Sequence, residues 1–234
     1  MNSKKTIKLL FTSTLLLSSL FVNAQDWPDL NRYKAENSLL KSPVNGEKRV
    51  VFMGNSITEA WKNSSPEFFT NNPYICRGIS GQTTPQMLVR FRQDVISLQP
   101  KVVVILAGTN DIAGNTGTST LEMIQDNLAS MAELANANGI RVVLSSVLPV
   151  LDYPWKKGLE PAEKIITLNA WINTYCEKKG FIYLDYFTPM ANEKHGMKAE
   201  LTNDGVHCTA AGYAVMEPLA QKAIKLALKH KPRK

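Results

Sequence analysis

Short apolar runs that alternate with longer amphipathic segments constrain the fold of this chain more than any other sequence feature. Several runs are rich in Val and Ile and almost continuously apolar, as expected for strands that are covered on both faces. The predicted strands are residues 49–54, 74–79, 102–107, 141–147 and 181–186. The predicted helices are residues 84–97, 118–138, 161–179 and 209–229. This alternation predicts one doubly wound α/β domain, with a parallel sheet between two layers of helices.

The net charge of +7 does not indicate a nucleic-acid-binding protein. Lys4, Lys5 and Lys8 lie near the N-terminus, and residues 229–234 contain four more basic side chains. The rest of the chain carries equal numbers of acidic and basic residues, so the folded body is close to neutral. A nucleic-acid-binding domain is expected to carry its basic stripe on the fold itself. We therefore interpret the basic tail, residues 229–234, as a solvated helix end whose cations complement the helix dipole.

The N-terminus has the pattern of a secretory signal peptide. Lysines precede an apolar stretch, residues 9–22, that is too short for a comfortable membrane span. Residues 22–24 then have the small-x-small form of a cleavage site. We expect a signal peptide, residues 1–24, to be removed near Ala24 and the protein to be exported to the periplasm or the exterior. A retained membrane anchor is the alternative.

The rest of the chain is expected to form one domain. Residues 25–48 are polar and lack strong periodicity, so we expect them to wrap around a domain that spans residues 49–228. Three cysteines are too few for a disulfide scaffold, and at least one thiol stays unpaired even in an oxidising compartment. The sequence leaves open whether any two of them form a disulfide: Cys76, Cys176 and Cys208.

Polar residues that could take part in catalysis follow the predicted strands at their carboxyl ends. Ligands of open α/β sheets bind outside those ends. Ser56 follows the first strand, where a hydroxyl can be exposed beside the backbone donors of a helix N-terminus. Gly81 follows the second strand, and its backbone can bring an N–H close to a ligand. The alternatives are a simple N-cap at Ser56 and a plain turn at Gly81.

Two further strand ends complete the set of candidates. Asn110 and Asp111 follow the third strand, where Asn110 can donate to a developing oxyanion and Asp111 can hold the loop, although both are common turn residues. Of the three histidines, His207 alone has an acid, Asp204, three residues upstream. Asp204 can orient the imidazole while its other nitrogen acts as a general base, and a simple turn is the alternative. Together these residue types indicate acyl transfer.

Four sequence blocks resemble those of the SGNH hydrolases, the GDSL-like lipase and esterase superfamily, with spacing similar to the platelet-activating-factor acetylhydrolase-like branch. The blocks are GNSIT at 54–58, GISG at 78–81, GTND at 108–111 and DGVH at 204–207. The resemblance implies a three-layer α/β/α flavodoxin-like domain, with a five-stranded parallel sheet in the order 2-1-3-4-5. Asn55 stands where the eponymous motif has Asp, which affects only the local hydrogen bonding.

The resemblance also implies a role for each matching residue. Ser56 would be the nucleophile, His207 the general base and then acid, and Asp204 the residue that orients His207. The backbone N–H groups of Ser56 and Gly81 and the side chain of Asn110 would form the oxyanion hole. No cofactor and no metal are expected.

The substrate is predicted less directly. The loop 148–160 carries Tyr153 and Trp155, whose rings could stack on sugars or cover the core, and Asn55 and Asp111 are further candidates for substrate contacts. We expect a secreted serine esterase that hydrolyses short acyl esters of small molecules or glycans, including acetylated carbohydrates. The alternatives are a lysophospholipase or thioesterase for longer acyl chains and a catalytically silent carbohydrate-binding protein. No nucleic acid and no stable membrane span are expected, and the oligomeric state stays open.

Overall fold

A parallel sheet forms the centre of the protein. The computed structural model describes residues 26–230, so the expected signal peptide and residues 231–234 of the basic tail lie outside the described residues. The strands are β1 (Val50–Gly54), β2 (Tyr74–Gly78), β3 (Val102–Leu106), β4 (Arg141–Ser145) and β5 (Ile182–Leu184). They are all parallel and lie in the order β2-β1-β3-β4-β5, which confirms the predicted fold class.

Helices cover both faces of this sheet. In chain order they are α1 (Lys34–Leu39), α2 (Ser56–Ser64), α3 (Pro66–Thr70), α4 (Thr84–Asp94), α5 (Thr109–Ile112), α6 (Leu121–Ala137), α7 (Pro161–Lys179), α8 (Phe187–Met190) and α9 (Ala210–Lys229). Helices α4, α6 and α7 pack on one face, and α2, α3 and α9 pack on the other. Within residues 26–230, no helix has both the length and the apolar composition that crossing a membrane requires.

Alternate residues of the central strands enter opposite halves of the core. In β1, Val51 and Met53 pack in the layer of α4, α6 and α7. Val50 and Phe52 pack in the layer of α2, α3 and α9. All four side chains are at most 2 % exposed, which explains why this strand is apolar without interruption.

The observed element boundaries differ from the predicted ones for local reasons. The predicted strand 141–147 ends at Ser145, where the pairing with β5 ends at Leu184, and the next hydroxyl, Ser146 Oγ, accepts hydrogen bonds of 2.9 Å from the backbone N–H groups of Tyr186 and Phe187. The predicted helix 84–97 ends at Asp94 and continues as a 3-10 turn, Ile96–Leu98. Helices α1, α3, α5 and α8 were not expected, since four to six residues are too few to show helical periodicity.

The segment before β1 lies against α4 and the end of β2. Its carbonyl groups accept hydrogen bonds from glutamine side chains of α4, from Gln86 to Trp27 at 2.6 Å and from Gln93 to Leu30 at 2.7 Å. The buried Tyr33 hydroxyl donates to the carbonyl of Gly78. These contacts hold residues 27–33 along α4 and, through Tyr33, at the carboxyl end of β2. The segment then runs to the amino end of β1, where the carbonyl of Lys41 accepts a hydrogen bond of 2.9 Å from the Arg49 side chain.

The sequence left open whether any two of the three cysteines form a disulfide, and the structure shows that they do not. Cys76 and Cys176 are buried, Cys208 is half-buried, and all three thiols are free. Burial raises the pKa of the Cys176 thiol and that of the Cys208 thiol to about 12. Both thiols are therefore protonated at neutral pH.

The buried aromatic cluster around Trp61 should contribute strongly to stability. Trp61 is 1 % exposed and stacks on Phe68 and Tyr213, with ring centroids 4.8 and 5.5 Å apart. We expect Trp61→Ala to lower the free energy of unfolding by about 3–5 kcal/mol in urea denaturation. The matched control is Trp27→Ala at a 44 % exposed position, with an expected change within about 0.5 kcal/mol. Equal losses in the two variants would contradict this packing.

Candidate active site

Ser56 occupies the first position of α2, directly after β1. The helix is capped by the residue before it, because Asn55 Oδ1 accepts a hydrogen bond of 3.1 Å from the backbone N–H of Ile57. The structure thus assigns the N-cap to Asn55 rather than to Ser56. The Ser56 hydroxyl is therefore available for contacts outside the helix.

A chain of hydrogen bonds joins Ser56 to a histidine and an aspartate. Ser56 Oγ lies 3.0 Å from His207 Nε2, and His207 Nδ1 lies 2.6 Å from Asp204 Oδ2. The second carboxylate oxygen, Asp204 Oδ1, accepts from the backbone N–H groups of His207 at 2.7 Å and Val206 at 2.9 Å. An imidazole held in this way can take the proton of the serine hydroxyl.

The environment of Asp204 keeps its carboxylate ionised. Partial burial raises its pKa, but the hydrogen bonds from the His207 side chain and from the backbone N–H groups of His207 and Val206 outweigh this effect and lower the pKa to about 2. The ionised carboxylate favours the tautomer of His207 that carries its proton on Nδ1. The lone pair of His207 Nε2 then faces the Ser56 hydroxyl.

Two backbone N–H groups near Ser56 have no acceptor among the described residues. The first is that of Ser56 itself, in the first turn of α2, where a helix leaves its N–H groups unpaired. The second is that of Gly81, which has a φ of +76° in the left-handed region that favours glycine. Gly78 lets this turn approach α2, since a Cβ at Gly78 would lie 2.2 Å from the backbone nitrogen of Glu59.

Asn110 brings a third donor from the next strand. It lies on α5, immediately after β3, and is 3 % exposed. Its Nδ2 donates to the carbonyl of Gln82 at 2.9 Å, which uses one of the two amide hydrogens and leaves the other free to donate. Ser56, Gly81 and Asn110 thus follow three strands that are adjacent in the sheet.

Two of the candidate substrate-contact residues lie inside the fold. Asn55 is 1 % exposed and serves as the cap of α2. Asp111 is 2 % exposed and accepts hydrogen bonds from the backbone N–H and the hydroxyl of Thr84, at 2.9 and 2.6 Å. Burial raises the pKa of Asp111, and the hydrogen bonds from Thr84 oppose that increase. In the structure Asp111 joins α5 to the start of α4 rather than facing solvent.

The two aromatic candidates of the loop after β4 differ in exposure. Tyr153 is fully buried, and its hydroxyl donates to the carbonyl of Thr109 at 2.8 Å. Trp155 is 47 % exposed, and its ring centroid lies 6.1 Å from that of His207. Of these two rings, Trp155 is the one that a ligand beside His207 could reach.

A cleft of about 400 Å³ opens beside Ser56 and His207. Ala60 and Cys76 are the only apolar residues among those that line it. The other lining residues are polar or charged: Arg32, Tyr33, Glu36, Glu59, Lys62, Asn63 and Ser80. In the part of the chain that the structure describes, no group of three or more His, Cys, Asp or Glu side chains is arranged to hold a metal ion.

The sequence interpretation did not include Arg32, Glu59 and Ser80 in the site. Glu59 could have been found, because it lies three residues after Ser56 on a helix and therefore on the same face. Arg32 has no local signal. It reaches the cleft only because the segment before β1 folds back against β2 and α4.

All four sequence blocks lie within the region that a protein-family model matches. The chain belongs to the GDSL-like Lipase/Acylhydrolase family, whose model matches residues 52–215. A GDSL-like lipase from Bacteroides thetaiotaomicron is 50 % identical, with a TM-score of 0.84 over 86 % of this chain and 98 % of that chain. A Bacteroides fragilis protein described as an acylhydrolase is 47 % identical, with a TM-score of 0.86 over 88 % of this chain and all of that one. The protein is thus a hydrolase that acts on esters.

Two more distant relatives share only the fold or a short part of the sequence with this chain. A variant of a Geobacillus acetyl-xylooligosaccharide esterase shares the fold, with a TM-score of 0.60 and 18 % identity over 76 % of this chain and 94 % of that chain. An uncharacterized Bacillus subtilis lipoprotein, YqeF, is 34 % identical over 79 residues, which is 32 % of each chain. The match therefore spans about a third of the length of that lipoprotein.

The low pKa of Asp204 predicts how the stability of the fold depends on pH. Because the folded-state pKa of about 2 lies below the ordinary value of 3.8, ionised Asp204 stabilises the fold above about pH 4, and this stabilisation is lost as the pH falls towards 2. A ¹³C NMR titration of the carboxyl group should show this low pKa directly. In His207→Gln, which removes the imidazole donor, the pKa of Asp204 should rise towards 3.8. Titration of wild-type Asp204 at or above 3.8 would contradict the geometry.

Proposed function

We propose that this protein is an exported serine esterase that hydrolyses carboxylic esters of short acyl groups, acetyl groups on carbohydrates among them. The observation that carries the proposal is the hydrogen-bonded chain from Ser56 Oγ through His207 to Asp204, with distances of 3.0 and 2.6 Å. A nucleophile, its base and the residue that orients the base stand in the order that acyl transfer requires.

The reaction would proceed through an acyl-enzyme. His207 Nε2 takes the proton from Ser56 Oγ as that oxygen attacks the ester carbonyl. The N–H groups of Ser56 and Gly81 and the amide of Asn110 donate to the oxyanion of the tetrahedral intermediate. His207 then protonates the departing alcohol, and water repeats the sequence to release the acid.

The polarity of the cleft supports short acyl groups. This cleft has to receive both the acyl group and the alcohol of a bound ester. A long alkyl chain anywhere in it would remove water from the charged side chains of Arg32, Glu59 and Lys62 without offering them a polar partner, which is unfavourable. This disfavours the lysophospholipase and the long-chain thioesterase. The fold shared with the Geobacillus acetyl-xylooligosaccharide esterase is compatible with an acetylated carbohydrate substrate. Of the four residues that the sequence offered as candidates for substrate contacts, Trp155 is the one that would contact such a substrate.

Export and the layout of the chain belong to the same proposal. The signal-peptide pattern of residues 1–24 supports export to the periplasm or the exterior, and so does the similarity to a Bacillus lipoprotein. In this layout residues 49–228 form the hydrolase domain, residues 25–48 wrap around it, and residues 229–234 form a basic tail. The contacts of Tyr33, Gln86 and Gln93 support the wrapping segment.

Ser56→Ala tests the nucleophile. We expect this variant to lose hydrolysis of p-nitrophenyl acetate, because it removes the hydroxyl that contacts His207 Nε2. The matched control is Ser64→Ala, an exposed serine at the other end of α2, which should keep wild-type activity. Equal activity of Ser56→Ala and the wild type would refute the mechanism. If the wild type hydrolyses neither p-nitrophenyl acetate nor acetylated glycans, the result would favour the catalytically silent binding protein.

A series of p-nitrophenyl esters tests the acyl preference. We expect kcat/KM to fall from acetyl to octanoyl, because the polar cleft does not favour a long alkyl chain. Activity that rises steadily with chain length would instead support the lysophospholipase or thioesterase.

Asn110→Ala tests the oxyanion hole. Loss of one preorganised donor should lower kcat by ~10²–10³ while the circular dichroism spectrum is retained. Asn138→Ala, an exposed asparagine at the end of α6, is the control and should leave kcat unchanged. A folded Asn110→Ala variant with near wild-type kcat would remove this side chain from the mechanism.

A further inference from the structure

An ion pair between Arg32 and Glu59 lies in the wall of the active-site cleft. Arg32 Nη2 is 2.5 Å from Glu59 Oε1, and the two side chains are 50 % and 22 % exposed. Both residues line the same cleft as Ser56 and His207. A substrate bound at Ser56 can therefore contact this ion pair.

Both partners of the pair are tied to the catalytic elements. Glu59 lies one helical turn after Ser56 on α2, and its Oε2 accepts a hydrogen bond of 2.9 Å from the backbone N–H of Ser80. Ser80 directly precedes Gly81, so the carboxylate also connects the nucleophile helix to the turn that carries an oxyanion donor. The pair thus has a defined position relative to the reacting atoms.

Arg32 comes from outside the region that defines the family. The family model matches residues 52–215, whereas Arg32 belongs to the segment that precedes α1. The hydrogen bonds of its neighbours, from Tyr33 to Gly78 and from Gln93 to Leu30, hold this segment against the sheet edge. Arg32 therefore contributes to this wall of the cleft from outside the region that the family model matches.

The pair keeps unused hydrogen-bonding capacity that faces the cleft. Glu59 is the only polar partner of the Arg32 side chain among the described residues, so most of the five guanidinium N–H donors are free. The carboxylate of Glu59 can accept further hydrogen bonds beside them. Adjacent donors and acceptors of this kind match a sugar hydroxyl, which donates and accepts at the same time.

The charges around the pair favour a neutral ligand over an anionic one. The charged residues that line the cleft are two cations, Arg32 and Lys62, and two anions, Glu36 and Glu59. The guanidinium of Arg32 is already balanced by Glu59 at 2.5 Å. A polyhydroxylated alcohol suits this environment better than a carboxylate or phosphate, which would meet both acidic side chains.

We propose that Arg32 and Glu59 form a subsite for the hydroxyl groups of a saccharide leaving group, and that Arg32 sets a preference for acetylated saccharides over acetyl esters of simple alcohols. This inference rests on the proposed esterase function of the same site. It adds two residues from outside the four sequence blocks to the determinants of substrate choice.

Kinetics on two acetyl esters test the role of Arg32. The variant Arg32→Met keeps the length of the side chain but removes its charge and its donors. We expect the ratio of kcat/KM for a monoacetylated methyl glycoside to kcat/KM for p-nitrophenyl acetate to fall at least tenfold. Arg32→Lys, which retains a cation with fewer and differently placed donors, should lower the ratio less. Arg92→Met, at an exposed position of α4, is the matched control and should leave both values unchanged.

Binding measured without turnover gives a second readout. Calorimetry with the monoacetylated methyl glycoside should show at least a tenfold higher Kd for Ser56→Ala/Arg32→Met than for Ser56→Ala alone. An unchanged Kd, or a kinetic ratio that stays constant because both esters lose activity equally, would overturn the subsite. If the wild type hydrolyses neither ester, the proposed function itself fails. Hydrolysis of p-nitrophenyl acetate with an unchanged ratio would overturn the subsite alone.

Discussion

Burial of the parallel sheet on both faces is the constraint on which the rest of the structure depends. Strands such as β1 and β3 are covered by helices on each side, so their side chains are committed to the core. The candidate catalytic groups therefore lie at the carboxyl ends of the strands rather than on the faces of these central strands. Ser56, Gly81 and Asn110 all occupy such positions, after three adjacent strands.

Buried polar contacts hold these strand ends in register. Arg90, which is fully buried, donates to the carbonyl of Gly54 at 3.0 Å and to that of Arg77 at 2.9 Å, near the ends of β1 and β2. Asp111 connects α5 to the start of α4 through Thr84. A charged or polar group at such a depth is costly unless it is paired, so each of these contacts restricts the position of the loops that it joins. The turns that carry the donors consequently have little freedom to move apart.

The site combines residues from the region that the family model matches with residues from the segment before β1. The hydrogen-bonded chain from Ser56 to Asp204 lies within the region matched by the family model, as do Gly81 and Asn110. The cleft beside it is closed partly by the segment before β1, through Arg32 and its ion pair with Glu59. Reaction type and substrate choice would therefore depend on different parts of the chain.

The sequence by itself determined the features that depend on local pattern. These were the parallel α/β class, the approximate strands, and the blocks with Ser56, Asp204 and His207, because apolar periodicity and short spacings are visible along the chain. Only the tertiary structure decided which distant residues meet, since Ser56 and His207 are 151 positions apart, and Arg32 and Glu59 are 27 apart. It also decided that Asp111 and Tyr153 are buried whereas Trp155 is exposed, because burial depends on how loops from several strands pack together.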